Sequence, residues 1–156
     1  MRTIRWDGRL KTGLAVMDAD HQNLVHLFNQ VVRAANHHAG KIVCNDVLDK
    51  LIRHTQAHFE WEERLMTEYR YPGKAKHVAE HAALIRQARN YRFDPGSPES
   101  RIPLIELRKD WLTFHMRTSD KELTGFLATV VPPRTRVKLP KLARAATGKA
   151  AKKAQT

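Results

Sequence analysis

The chain predicts an all-α fold, an antiparallel up-down four-helix bundle with a short C-terminal helix and a disordered basic tail. Three observations carry that reading. Apolar residues recur in steps of three and four along four long stretches, which is the spacing of one face of an α-helix. Short loops marked by proline or glycine separate the stretches, so that consecutive helices lie antiparallel. No stretch alternates apolar and polar residues as a half-buried strand would.

Residues 1–17 lack periodicity and read as an extended lead-in with Trp6 as an apolar anchor. Asp18 or Asp20 can cap a first helix whose face is Met17, His21, Leu24, Phe28, Val31 and Ala35, and Gly40 stops it. Asn45 is the expected cap of the second helix, with Leu48, Leu51, Thr55, His58, Glu62, Leu65 and Tyr69 on its face. That helix ends before Tyr71-Pro72-Gly73. The third runs from Lys74 to Tyr91, with His77, His81, Leu84, Ala88 and Tyr91 together. Asp94-Pro95-Gly96-Ser97-Pro98 is a loop, after which Ser100 caps a fourth helix. Pro103 falls in its first turn, where a missing N–H does least harm. Leu104, Leu107, Trp111 and Leu112 lead to His115. A short last helix from Asp120 through Val130 is closed by Pro132-Pro133.

A length of 156 residues suits one domain with a substantial core. The net charge of +12 is unevenly placed: residues 132–156 hold eight Lys/Arg and no acid, which leaves +4 on residues 1–131. The division is therefore a bundle domain over 1–131 and a basic tail over 132–156. The body shows no basic face for nucleic acid. The tail reads as a disordered, solubilising extension, able to touch nucleic acid or another polyanion in a salt-sensitive, sequence-blind way. Cys44 is the sole cysteine, which excludes an intramolecular disulfide and fits a reducing compartment. The N-terminus has no apolar signal region and no apolar run is long enough to span a membrane, so a soluble, cytoplasmic protein is expected.

The core faces carry unexpected chemistry. His21, His58, His77 with His81, and His115 lie on or beside the buried stripes of all four helices, and Glu62 joins them. A single core histidine is usually hydrogen-bonded packing. Five on converging faces with a carboxylate point instead to a metal, since burying an unpaired carboxylate costs several kcal/mol. His58 and Glu62 are four apart, as are His77 and His81, so each pair can serve one centre. Imidazole suits iron, zinc, copper or nickel, and a carboxylate can bridge two ions. His115 and Asp120 are five apart and both face inward only if the helix breaks between them; Thr118-Ser119 offers the break, with Ser119 as a cap. His54 reads as a flanking, partly exposed histidine, His26, His37 and His38 as solvent-facing, and Glu60 and Glu63 as a solvated face. No glutamate has a histidine three residues later, as carboxylate-rich ferritin-like sites require, and His-Glu-x-x-His and glycine-rich phosphate loops are absent.

Met17-Asp18-Ala19-Asp20-His21, His58-Phe59 with Glu62-Glu63 and Met66, Tyr71-Pro72, His77-x-x-x-His81, and Trp111-x-x-x-His115 with Asp120-Lys121 together resemble the hemerythrin family, its bacterial members above all. The resemblance covers residues 6–130. It implies two iron ions joined by an oxide or hydroxide. His77, His81 and His115 would hold a six-coordinate iron, His21 and His58 an iron with one vacant position, and Glu62 and Asp120 would bridge them. Asp20 departs from the pattern, which commonly has glutamine there; this bears on hydrogen bonding near the vacant position. Two ferrous ions against two carboxylates and one hydroxide leave a single net positive charge, bearable in an apolar core. The vacant position would accept O2, each iron giving one electron, while Leu24, Phe59 and Trp111 are candidate walls of an O2 pocket. The implied function is reversible O2 binding for storage, delivery or sensing. The alternatives are an enzyme on the same centre, acting on peroxide, nitric oxide or as an iron donor in repair, and a module recruited to nucleic acid by its tail.

Overall fold

A computed structural model describes residues 3–37, 39–90 and 109–131, the side chains of 109–111 excepted. Among these residues the chain is all-α, a four-helix bundle with five helical segments: α1 (Ala15–Asn36), α2 (Lys41–Glu68), α3 (Lys74–Asn90), α4 (Lys109–Arg117) and α5 (Ser119–Val130). The expected fourth-helix cap Ser100, the turn at Pro103, Leu104, Leu107 and Tyr91, and the tail from Pro132, lie outside the described residues, as does His38. No described helix is long and apolar enough to cross a membrane.

The lead-in is pinned more firmly than one tryptophan would manage. Ile4 and Leu10 are buried, Trp6 only partly. The Ile4 N–H donates to Asn29 Oδ1 at 2.7 Å and Asn29 Nδ2 donates back to the Ile4 carbonyl at 2.8 Å. Asp7 caps a short 3-10 turn, Gly8–Leu10, by accepting from the Arg9 N–H. Helix α1 then starts earlier than its aspartates suggest. Its N-cap is Leu14, with no side-chain cap. Asp18, inside the first turn, reaches back to accept from the Thr12 N–H and hydroxyl at 2.7 and 2.9 Å. Asp20 caps nothing, because it faces the core at 1% exposure.

The other boundaries follow from backbone geometry. Gly40 does not stop α1; at φ 82° it is the N-cap of α2, which leaves Asn45 inside the helix. The C-terminus of α2 closes with paired bonds, Tyr71 N–H to Met66 O at 2.9 Å and Arg70 N–H to Thr67 O at 3.3 Å. Arg70 occupies the left-handed conformation (φ 54°) that this kind of helix end demands and that glycine usually fills. Gly73 follows with the Tyr71 ring lying over it; a Cβ there would sit 2.8 Å from that ring, which would have to move aside.

The helical stripes face inward as expected, with His77, His81, Leu84 and Ala88 buried on α3. The core is not continuous, however. One apolar cluster gathers Leu24, Phe28, Val32, Leu48, Leu51, Leu112 and Met116 with the lead-in. A second gathers Met17, Trp61, Leu65, Met66, Leu123 and Leu127. His21 falls between Met17 and Leu24 on α1, and His58 and Glu62 fall between Leu51 and Leu65 on α2. A polar layer thus crosses the bundle between two greasy ends.

Candidate metal centre

Seven side chains fill that layer, and all are buried: His21, His58, Glu62, His77, His81, His115 and Asp120. They come from α1, α2, α3, α4 and α5, each on the stripe that the apolar spacing turns inward. His115 and Asp120 meet because the helix does break between them. The Thr118 N–H is shared by the carbonyls of Phe114 and His115, at 3.0 and 3.2 Å, and α5 restarts at Ser119 with Thr118 as its N-cap (φ −114°, ψ −81°). Ser119 does not cap it; its hydroxyl donates to Glu80 of α3 instead.

The donor atoms sort into two groups. His77, His81 and His115 converge with one oxygen from each carboxylate: His81 Nε2 lies 3.1 Å from Glu62 Oε2, and His77 and His115 Nε2 lie 3.2 and 3.1 Å from Asp120 Oδ1. His21 and His58 converge with the other two oxygens: His21 Nε2 is 3.1 Å from Asp120 Oδ2, and His58 Nε2 is 3.4 Å from Glu62 Oε1. Within each group, all donor atoms lie within 4.8 Å of one another. A first-row ion bound about 2.1 Å from its donors keeps adjacent donors about 3 Å apart, which is the spacing found here.

Without a cation the arrangement is unfavourable. In both His21–His58 and His77–His115 the Nε2 atoms meet at 3.2 Å, a contact that holds only if one ring of each pair carries its proton on Nε2. Both oxygens of Glu62 and of Asp120 are buried with no hydrogen-bond partner among the described residues. Burial, then Asp120 beside it, pushes the Glu62 carboxyl well above the usual range. Burial works the same way on Asp120, but the imidazole of His115 and those of His21 and His77 hold it well below. Burial presses His81 down to about 2, so it stays neutral and keeps a lone pair for a ligand bond. Two divalent ions would satisfy every orphaned oxygen at once.

Around the seven lies a ring of partners that sequence spacing largely hid. Asp20 accepts from His58 Nδ1 at 2.8 Å through one oxygen and from His54 Nε2 at 2.9 Å through the other. His54 is therefore not a partly exposed flank; it is 6% exposed, because α2 buries a broader arc than one stripe where α1 packs on it. Glu63 is not a solvated charge either, since it is half-buried and accepts from His81 Nδ1 at 3.0 Å. Glu80 lies 3.2 Å from His115 Nδ1. The only signal for these was phase: His54 sits one turn before His58, and Glu80 one turn after Lys76 beside His81. Glu60, His26 and His37 are exposed as expected.

Of the three candidate pocket walls, Leu24 is fully buried one turn beyond His21. Phe59 stacks on His81, ring centres 3.7 Å apart and planes within 5°, and is 5.8 Å from His58. The Trp111 side chain lies outside the described residues. Trp61, which the stripes did not single out, is buried with its ring centre 6.1 Å from that of His58.

The family profile described as Hemerythrin HHE cation binding domain matches residues 12–127. A bacteriohemerythrin of Stenotrophomonas maltophilia is 29% identical over 123 residues, 78% of this chain and 79% of that protein. A bacteriohemerythrin of Ralstonia nicotianae is 31% identical, over 82% of this chain and 91% of its own length. Hemerythrin subunit 2 of Golfingia vulgaris is 30% identical, with 77% and 90% covered. No solved structure gives a significant match.

Proposed function

This chain belongs to the hemerythrin family, and on that premise we propose that it is a non-haem di-iron protein that binds O2 reversibly, for storage, delivery or sensing. The observation that carries the proposal is the split of donors: five protein atoms on one side, four on the other, with Glu62 and Asp120 giving one oxygen to each. His77, His81 and His115 would hold one iron, His21 and His58 the other, and Glu62 and Asp120 would span both. The second side, with one protein donor fewer, would be the one open to an outside ligand. When bound, a ferrous pair would supply two-electron chemistry toward O2.

The residues of the chain set the conditions for it. Burial lowers the His58 and His81 imidazoles, which leaves their lone pairs open to a metal with less competition from protons. Leu24, Phe59 and Trp61, with the apolar clusters at either end, keep water from the layer and favour release of O2 over irreversible oxidation. The bundle over residues 1–131 is the working unit, in keeping with a cytoplasmic protein. The tail over 132–156 adds weak, salt-sensitive contact with nucleic acid or another polyanion. Removing residues 134–156 should abolish retention on DNA at low salt; unchanged retention would dismiss that role.

The test of O2 binding is direct. Protein reduced under anaerobic conditions should carry two irons per chain and gain a visible charge-transfer band on exposure to O2, lost again when O2 is withdrawn. Rapid turnover of peroxide or nitric oxide with no reversible band would replace carriage by catalysis. Fewer than two irons would dismiss the centre.

A further inference from the structure

We propose that Asp20, braced by His54, is the positioning carboxylate of the four-donor side: it fixes His58 with Nε2 turned into the centre and supplies a buried negative charge on that side. This rests on the di-iron reading above.

The geometry is specific. Asp20 is 1% exposed on α1, and each of its oxygens takes one histidine of α2, Oδ2 from His58 Nδ1 at 2.8 Å and Oδ1 from His54 Nε2 at 2.9 Å. With both oxygens engaged the carboxylate cannot turn, and it is satisfied without water. An imidazole that donates its Nδ1 proton to a carboxylate keeps its lone pair on Nε2, in the orientation a metal requires. On this side of the centre His58 alone has such a partner among the described residues, for His21 Nδ1 is buried with none.

Charge points the same way. Two divalent ions with Glu62, Asp120 and one hydroxide leave one net positive charge in the interior, where an uncompensated charge is costly. Among the described residues, Asp20 is the fully buried acid beside them that is not itself a donor to either group, and it brings the sum over the buried groups to zero. His54 thus has a role although its Nε2 is turned to Asp20 and it belongs to neither donor group. It holds its neighbour in place.

The full chain, freed of metal, is titrated with cobalt(II) and followed by its ligand-field spectrum. Wild type should bind two equivalents, and Asp20→Asn, which keeps shape and one acceptor but loses the charge, should bind the second 10–100-fold more weakly while retaining the first. A side chain that merely filled space would leave both affinities unchanged in this isosteric variant, and that result overturns the inference. Failure of wild type to bind two equivalents instead overturns the di-iron reading, and this inference with it. If Asp20→Asn does not fold, wild type still decides. In the zinc-loaded, 15N-histidine-labelled protein, His58 Nδ1 should carry a proton protected from exchange, and an unprotonated Nδ1 there is disproof.

Discussion

The two sides of the centre share a pair of carboxylates and differ in nearly everything else. The histidines of the five-donor side come from α3 and α4, and two of the three, His81 and His115, are backed by Glu63 and Glu80, side chains still 35% and 33% exposed. The four-donor side is built from α1 and α2, and it is backed by Asp20 and His54, both buried. The side with more donors tolerates outer partners that touch solvent. The side with fewer donors is held from deep within the helix pair. On the proposed reading the side with fewer protein donors would take the outside ligand, and the buried, doubly bonded Asp20 would hold His58 rigidly there.

The comparison can be broken first at the shared residues. Glu62→Ala removes one oxygen from each side and should lower iron from two per chain to below one, measured by metal analysis on protein whose helix content is unchanged. Full iron retention would show that the two sides are not joined through Glu62. The next test separates them. His58→Ala leaves three protein donors on the sparse side, and His81→Ala leaves four on the rich side. The first variant should therefore keep one iron and the second close to two; the reverse order would mean that donor number does not rank the sides.

The seven central residues were legible because each obeys a local rule. His77 with His81, and His58 with Glu62, are one helical turn apart on stripes that the apolar residues define. Even the break at Thr118 could be read, from the five-residue step between His115 and Asp120. The partners around them obeyed no local rule. His54 is one residue off its stripe and is buried only because Asp20 of another helix meets it. Glu63 and Glu80 look like surface acids until α2, α3 and α4 are laid together. The capping errors have the same origin: Asp18 satisfies the lead-in, and Gly40 starts α2 through a backbone angle that composition does not display.

Finer tests sharpen the difference between the outer partners. Glu63→Gln or Glu80→Gln keeps an acceptor for His81 or His115 but removes a charge already screened by water. Each should weaken cobalt(II) binding on the five-donor side by about tenfold or less, the low end of what an outer hydrogen-bond partner contributes. Losses as large as that expected for Asp20→Asn would erase the distinction between buried and half-exposed backing.

The smallest effect is expected at Phe59. Its ring lies flat on His81, so Phe59→Leu should remove an aromatic pair worth about 0.5–1.5 kcal/mol while leaving an apolar side chain in place. Iron should stay at two per chain, and the loss should appear in denaturant unfolding of the metal-free protein. Were iron to be lost from the five-donor side instead, Phe59 would be holding the His81 imidazole in position. Rigidity would then be required on the donor-rich side too, and the contrast between the two halves would rest on donor number alone.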